Sequence, residues 1–294
     1  MNTSTPANWL DALGQLTPQR TAVLITVMAA SGSTPRAAGT RMLVTPEAQY
    51  DTIGGGHLEW KAIAMARIWL AETQPDEQAI RKVDIALGPG LGQCCGGAVS
   101  LQLERVDHWS EQDYAERIKE FRHARQQLPH LYLFGAGHVG SALVQVLQQV
   151  PCRITWVDER DHLFPASLHD GIQAEATDIP EAIVAEAEPG SYFLVMTHHH
   201  GLDLRLSEQI LKKQDAAWFG LIGSHTKRIK FERRLQDRGI ASTALQNMVC
   251  PIGIPEIGGK EPGVIAVAVA AQLLQLWSIR NRQQKSPVSQ SSVT

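Results

Sequence analysis

Two adjacent cysteines, Cys94 and Cys95, lie in a glycine-rich run that extends from Gly90 to Gly97. Glycine permits backbone angles with positive φ and lets the chain approach a ligand closely. Adjacent cysteines rarely form a disulfide with each other, because their Cβ vectors point apart. The pair therefore indicates soft-metal ligation or sulfur chemistry. A tight turn with one buried and one exposed thiol accounts for the same residues equally well.

A second motif places Gly135, Gly137 and Gly140 after a predicted strand and before a predicted amphipathic helix. Asp158 closes the next predicted strand. This spacing is typical of a Rossmann phosphate loop, in which N–H groups at a helix start bind a phosphate and the carboxylate binds a ribose hydroxyl. A tight turn between strand and helix needs the same glycines, but the whole context favours a phosphate-bearing ligand.

Two further groups of polar residues follow predicted strands, where ligands bind in parallel sheets. The first is His198–His200 with Asp203, in which two imidazoles and a carboxylate could hold a divalent metal. Capping and solvation of the histidines is the alternative that we favour. The second is Ser224 with Lys227, which open a helix and either bind an anion or simply cap it.

The amino-terminal half carries polar residues in glycine-rich loops of its own. Arg36 and Arg41 could form a fork for a phosphate. Glu59 lies near a helix start and could equally be a carboxylate that compensates the helix dipole. Together with the cysteine run, these loops outline one polar, glycine-lined site.

Length and composition limit the classes of protein to consider. A chain of 294 residues with a 44% hydrophobic fraction allows one large domain or two ordinary ones. The net charge of −3 does not resemble that of a nucleic-acid-binding protein. Four scattered cysteines are not a disulfide scaffold, no signal peptide is evident, and the apolar stretch Val264–Trp277 is too short to span a bilayer. We expect a cytoplasmic protein.

The order of predicted elements divides the chain into four parts. Residues 1–110 are predicted to form a small α+β domain that includes the cysteine run. Residues 111–129 are predicted to be a helical linker, and strands alternate with helices over residues 130–282. This alternation predicts an α/β Rossmann-like domain with a doubly wound parallel sheet. The Ser- and Gln-rich tail, residues 283–294, is predicted to be disordered.

One helix of the first half is predicted over Leu58–Glu72. The prediction depends on residues at three- and four-residue spacing: Trp60, Ile63, Ala64, Arg67 and Ile68.

The motifs of both halves, taken in order, resemble those of the XdhC/CoxI family. The resemblance covers roughly residues 21–277. In the first half it rests on Gly32–Arg36, Gly39–Met42, Thr52–Gly56, Leu58–Glu59 and Gly92–Gly97. In the second half it rests on Phe134–Gly140, Val157–Asp158, Thr197–His198 with Asp203, Gly223–Ser224 with Lys227, and Pro251–Gly253. The chain departs from the family at Gly259–Gly263, where a different helix start is usual, but the helix itself should form.

The resemblance implies a function that spacing alone does not. Such proteins are accessory factors that bind the molybdenum cofactor, protect it, support its sulfuration with a cysteine desulfurase and insert it into xanthine dehydrogenase. It implies a chaperone rather than a turnover enzyme, with Cys94 and Cys95 as metal ligands and a homodimer as the assembly. The implied cofactor-binding residues are Gly92, Gln93, Cys94, Cys95, Gly96, Arg36, Arg41, Gly135, Gly137, Gly140, Asp158, His198, Asp203, Ser224 and Lys227.

Two other functions compete with this one. The first is an NAD(P)-dependent oxidoreductase that uses the Gly135–Gly140 loop, Asp158 and one histidine of residues 198–200. It gives the paired cysteines no task. The second is a metal-dependent hydrolase that uses His198, His199 and Asp203.

Overall fold

An apolar, β-branched run that begins at Val23 forms the central strand of an antiparallel sheet. Strand β1 (Val23–Ser31) pairs with β2 (Arg41–Val44) on one side and with β5 (Ala98–Arg105) on the other. The short β3 (Gln49–Tyr50) and β4 (Ile80–Ala86) form the edges, so the order is β3-β2-β1-β5-β4. The computed structural model describes residues 8–16, 21–72, 78–87, 97–169 and 171–285.

Helices cover both faces of this sheet, because side chains of a strand alternate between its faces. Val23, Ile25 and Val27 of β1 pack in one cluster with helix α2 (Gly56–Ala71). Leu24, on the other face of β1, contributes to a second cluster with Leu10 of helix α1 (Trp9–Gly14) and Ile118 of helix α3 (Glu111–Gln126). The predicted α+β character of this half is thus a sheet between helices.

The face of helix α2 that is buried differs from the face whose apolar spacing predicts the helix. Its buried residues are Leu58, Ala62, Ala66 and Trp69. Trp60 and Ile68, whose spacing helps to predict the helix, are 66% and 65% exposed. Both faces of α2 are apolar, so periodicity predicts the helix but not the side that packs on the sheet.

The second half contains a six-stranded parallel sheet. Its order, β11-β10-β9-β6-β7-β8, reverses direction between β6 and β9. This is the doubly wound arrangement that the alternation of elements predicts, so the predicted fold class is confirmed. The strands are β6 (His130–Phe134), β7 (Arg153–Asp158), β8 (Ile172–Ala176), β9 (Tyr192–Val195), β10 (Trp218–Leu221) and β11 (Met248–Val249).

In the described part of the second unit, six α-helices pack on the two faces of the parallel sheet. They are α4 (His138–Leu147), α5 (Pro180–Glu186), α6 (His200–Lys213), α7 (His225–Asp237), α8 (Ser242–Leu245) and α9 (Pro262–Lys285). Helices α4 and α9 share one hydrophobic cluster with the sheet, and α5 to α8 share the other. The helix expected after Gly259–Gly263 is present and begins at Pro262, a favourable first position.

Helix α9 is apolar, and one of its faces belongs to the core. By length and composition, residues Pro262–Arg280 could cross a membrane, and no other helix in the described ranges could. However, α9 packs against α4, and Ala266, Val269, Leu273 and Trp277 are buried in their shared cluster. Packing in the core accounts for this face of α9, whereas Val267, Leu274 and Ile279 on other faces are exposed.

The chain forms two units, residues 1–125 and 126–294. The division between them falls within the linker predicted at 111–129. Most of that segment is α3, whose Ile118 packs with the first unit. At the other end, α9 continues to Lys285, so the first three residues of the predicted tail are helical and the rest lie outside the described residues.

The two tryptophans of α2 provide a test of which face packs on the sheet. We expect Trp69→Ala to lower the free energy of unfolding by about 3–5 kcal/mol, because the side chain is fully buried. Trp60→Ala should change it by less than about 0.5 kcal/mol, because the side chain is exposed. Urea denaturation measures both values. Similar losses in the two variants would contradict this orientation of α2.

Candidate functional site

The carboxyl ends of β6, β7, β8 and β9 surround a small cavity of about 40 Å³. The cavity lies where the strand order reverses, which is where doubly wound sheets bind their ligands. Apolar residues in its lining are Phe134, Val157, Pro180 and Leu202. Polar residues in its lining include Glu159, Asp178, Thr197, His198 and Arg205. Polar groups outnumber apolar ones in this lining, so the cavity offers a ligand mainly hydrogen-bonding and charged groups.

The glycines of the Gly135–Gly140 loop have different reasons to be glycine. Gly135 has a φ of 120°, and a Cβ there would clash with the carbonyl oxygen of Met196. A Cβ at Gly140 would clash with the carbonyl oxygen of Gly135. By contrast, Gly137 faces open space and caps α4 without a side chain. Close packing therefore explains Gly135 and Gly140, whereas Gly137 leaves the first N–H groups of α4 accessible to an anion.

Asp158 is bonded to the protein itself. Its Oδ2 accepts hydrogen bonds from the Ala136 N–H at 2.7 Å and from Arg160 Nη2 at 2.9 Å, and its Oδ1 accepts one from Arg160 Nε at 2.8 Å. Burial by itself would raise the pKa of this carboxyl group, but the bonds from Arg160 and Ala136 outweigh it and lower the pKa to about 2. The carboxylate predicted to bind a ribose hydroxyl thus connects the glycine loop to Arg160.

A buried ion pair joins Asp203 to Lys227, two residues that the sequence places in separate motifs. Lys227 Nζ lies 2.6 Å from Asp203 Oδ2 and also donates to the Ile222 carbonyl at 2.8 Å. The Thr197 hydroxyl and N–H donate to Asp203 Oδ1 at 2.7 and 3.1 Å. Asp203 is fully buried. The group therefore connects the end of β9 to helices α6 and α7.

The three histidines have separate roles. His199 caps α6, because its Nδ1 accepts the Leu202 N–H at 3.1 Å. His198 is exposed, with Nε2 at 3.4 Å from Glu159 Oε1, and His200 is the first residue of α6. The described residues contain no group of three His, Cys, Asp or Glu side chains that could hold a metal ion. The predicted capping role fits His199.

Ser224 is the N-cap of α7, where its hydroxyl accepts the Lys227 N–H at 3.3 Å. This is the capping role that the sequence leaves open for it. Anion binding by the Lys227 ammonium would compete with its ion pair to Asp203.

Three glycine-rich loops of the first unit meet. A Cβ at Gly97 would lie 2.5 Å from the Ser33 carbonyl oxygen, so the end of the cysteine run packs on the Gly32–Arg36 loop. A Cβ at Gly54 would lie 2.5 Å from Pro35 Cγ, so that loop also packs on the start of α2. Cys94 and Cys95, with Gly92, Gln93 and Gly96, lie outside the described residues. The described loops therefore pack closely, and the glycine-lined site stays a prediction.

Glu59 supports the loop before α2. Its Oε2 accepts the N–H groups of Ile53 at 3.0 Å and Gly55 at 3.1 Å, and also the Thr52 hydroxyl. A carboxylate in this position satisfies N–H groups that have no partner at a helix start. The dipole-compensating alternative for Glu59 therefore has a direct structural basis.

The two arginines predicted as a phosphate fork have different surroundings. The Arg36 side chain is exposed, and it has no hydrogen-bond or ionic partner in the part of the chain that the structure describes. The Arg41 guanidinium instead lies 4.7 Å from the Phe121 ring centroid and 5.6 Å from that of Trp9. Burial lowers the pKa of Arg41. Of the two, Arg36 is the cation available to an anionic ligand.

The two described cysteines are not reactive groups. Cys152 is buried, which raises the pKa of its thiol to about 12. Burial also raises the pKa of the Cys250 thiol. Since the thiolate is the nucleophile and metal ligand, both residues serve as small apolar side chains.

Sequence reasoning missed several polar residues near the cavity. Glu159 and Arg160 directly follow Asp158, so their position after a strand was an available signal. Asp178 follows β8, a strand that was not predicted because Ile172–Ala176 is short and contains polar residues. Its place beside the cavity could not be inferred without that strand.

Comparison with known families agrees with this architecture. Residues 131–273 match the family model described as the XdhC Rossmann domain. Residues 16–82 match the model described as the XdhC and CoxI family, and together the two matches cover more than half of the chain. The chain belongs to the XdhC family.

Two curated relatives differ in how much of their length this XdhC-family chain spans. The uncharacterized protein YqeB of Escherichia coli (strain K12) is 29% identical over 260 residues, which are 83% of this chain but only 41% of YqeB. A Bacillus subtilis (strain 168) protein is named as a probable subunit of xanthine dehydrogenase. It is 24% identical, and the match covers 90% of this chain and 96% of that protein.

A solved structure from Bacillus halodurans, described as a xanthine dehydrogenase, has the same fold. It superposes with a TM-score of 0.72 at 24% identity, covering 95% of this chain and 97% of that one. The likeness extends over both units.

The buried ion pair can be tested by removing its cation. We expect Lys227→Met to lower the free energy of unfolding by about 3–5 kcal/mol, because it leaves the Asp203 carboxylate buried and without its cation. Lys230→Met, on the exposed side of the same helix, should change it by less than about 0.5 kcal/mol. Equal stability of the two variants in urea denaturation would contradict the role of the pair.

The bond between Arg160 and Asp158 predicts a pH-dependent contribution to stability. The pKa of Asp158 is depressed in the folded state, so its contribution is complete above the unfolded pKa, near 3.8, and is lost as pH falls towards about 2. We expect Arg160→Gln to cost up to about 2 kcal/mol at pH 6 and progressively less below pH 4. Urea midpoints between pH 6 and 3 measure the loss, with Arg233→Gln as control. A loss that does not shrink on acidification would argue against this bond as its cause.

Proposed function

We propose that this protein is an accessory protein of xanthine dehydrogenase, which binds the molybdenum cofactor, protects it and inserts it into that enzyme. Membership of the XdhC family and the similarity to a probable subunit of xanthine dehydrogenase support the association with the enzyme. The single observation that carries cofactor binding is the meeting of three glycine-rich loops in the first unit, one of which leads into the cysteine run.

The residues at these loops suit such a cofactor. A Cβ at Gly54 or Gly97 would clash with the neighbouring loop, so the loops pack closely: Gly97 lies against the Ser33 backbone and Gly54 against the Pro35 side chain. Arg36 offers an exposed, unpaired guanidinium within the described chain, which suits the phosphate of a pterin. Molybdenum accepts sulfur ligands, so the thiolates of Cys94 and Cys95 are suitable ligands for it.

Each residue would have a limited task. Cys94 and Cys95 would hold the metal or relay sulfur, and Arg36 would bind the phosphate. When bound, the cofactor supplies a molybdenum centre whose terminal oxo ligand can be exchanged for sulfido. We propose a cysteine desulfurase as the donor of that sulfur and a homodimer as the assembly. The chain itself acts by binding and delivery rather than by turnover.

An NAD(P)-dependent oxidoreductase is the second candidate, favoured by the strand order of the parallel sheet and by the open start of α4. Two observations weigh against it. Both oxygens of Asp158 already accept bonds from Arg160, so a ribose would have to displace that guanidinium. The oxidoreductase also leaves Cys94 and Cys95 without a task. We therefore assign the cavity to a phosphate-bearing ligand without assigning hydride transfer to it.

The paired cysteines provide the decisive test. After expression in cells that make molybdopterin, we expect the wild-type protein to co-purify with a pterin that fluoresces on oxidation, and with molybdenum. Cys94→Ala and Cys95→Ala should lose most of the molybdenum while the fold is retained, because they remove thiolate ligands. Metal analysis and circular dichroism measure the two quantities.

Cys152→Ala is the matched control, because that thiol is buried and protonated, and it should keep the cofactor. Undiminished molybdenum in both loop variants would refute the thiolate ligands. A wild-type protein that carries no pterin but binds NADH tightly would instead support the oxidoreductase.

A further inference from the structure

Helix α2 exposes an apolar stripe that its own unit does not cover. At 3.6 residues per turn, His57, Trp60, Ala64, Ile68 and Ala71 share one face of the helix, which we call the outer stripe. Trp60 and Ile68 are its largest members and are the two most exposed large apolar side chains among the described residues. The stripe lies opposite the face that packs on the sheet.

Cations border the outer stripe on both sides. Lys61 and Arg67 lie about 60° to either side of Ala64 around the helix axis. Both are exposed, and neither has an ionic partner within the described ranges. The two acidic residues beside them are engaged elsewhere: Glu59 bonds the loop before α2, and Glu72 pairs with Arg81 at 2.8 Å. The whole face is therefore apolar in the middle and positive at both edges.

We propose that the outer stripe docks an acidic, amphipathic segment of the xanthine dehydrogenase subunit that receives the cofactor. This inference rests on the proposed function. The partner segment would place apolar side chains against Trp60 and Ile68, and carboxylates against Lys61 and Arg67. Packing of one amphipathic helix face against another, as in zippers, is a recurrent mode of recognition. Charges at the edges would steer the encounter, while the apolar centre would supply the affinity.

A second copy of this chain fits the stripe poorly. A two-fold contact brings the same surface of both copies together. Because both edges carry a cation, parallel and antiparallel pairings alike would set cation against cation. Like charges brought together across an interface oppose association. A partner with acidic edges removes this conflict, so charge complementarity selects a different chain.

The stripe also begins where the proposed cofactor loops meet. Helix α2 starts at Gly56, directly after Gly54, which packs against Pro35 in the adjoining loop. Trp60, the largest side chain of the stripe, lies in the first two turns of α2, and its ring centroid is 5.4 Å from that of His57. A partner docked on the stripe would therefore lie beside the loops from which the cofactor is released.

The test measures binding to the molybdenum-bearing subunit of xanthine dehydrogenase, purified without its cofactor. We expect Trp60→Ala to raise the dissociation constant about 30-fold, as for a central aromatic anchor, and Trp60→Phe to restore most of the affinity. Lys61→Glu with Arg67→Glu should slow association and remove its acceleration at low salt. Ile80→Ala and Lys119→Glu, at exposed residues of β4 and α3 in the same unit, are the controls.

The outcomes separate this inference from the proposed function. Loss of binding in the stripe variants, with unchanged pterin content, supports the docking surface. Equal binding by wild type and variants overturns the surface alone. Absence of wild-type binding overturns delivery to the dehydrogenase and this choice of occupant, whereas cofactor retention is judged by the pterin. The surface is also overturned if the variants turn a dimer into a monomer in sedimentation, or if they only abolish binding to phosphatidylserine vesicles.

Discussion

The buried pair of Asp203 and Lys227 is the interaction on which the second unit depends most. A fully buried carboxylate is tolerated only when its charge and its hydrogen bonds are satisfied. Lys227 supplies the charge at 2.6 Å, and Thr197 supplies two further donors. These residues come from the end of β9 and from helices α6 and α7. Because the Asp203 carboxylate needs all of these partners, it fixes the three elements to one another at the ligand-binding edge of the sheet.

Asp158 acts in a similar way on the other side of the strand reversal. It accepts the Ala136 N–H, which fixes the glycine loop, and it holds Arg160 beside that loop. The polar residues that follow the strands therefore first stabilise the edge of the sheet. What they leave for a ligand is the open start of α4 and the cavity lined by Glu159, Asp178 and His198.

In the first unit the constraint is close packing of loops rather than a buried charge. Gly54 and Gly97 bring three loops to distances that a side chain would prevent. Glu59 then satisfies the N–H groups that this bend leaves free. Gly97 lies against the backbone of the Gly32–Arg36 loop, and Gly54 lies against the Pro35 side chain of the same loop. Helix α2 begins at Gly56, directly after one of these loops, and carries the outer stripe on its exposed face.

The sequence by itself determined the two-part architecture, the family and the secondary-structure elements with strong patterns. The parallel sheet followed from the alternation of apolar strands with helices, and the Rossmann loop from three glycines before an amphipathic helix. The weakly patterned elements were not predicted. Strand β8 and helix α5 are short, and their hydrophobic residues become meaningful only beside their neighbours.

Tertiary structure alone decided which polar groups are free. The sequence marks Asp158, Asp203 and Lys227 as site residues, yet it cannot show that Arg160 holds the first or that the other two bond each other. Periodicity found helix α2 but could not choose its buried side, because both sides are apolar and only the sheet selects between them. The physical reason is the same in each case. A residue type defines which interactions are possible, and the partner that the fold brings within reach determines which one forms.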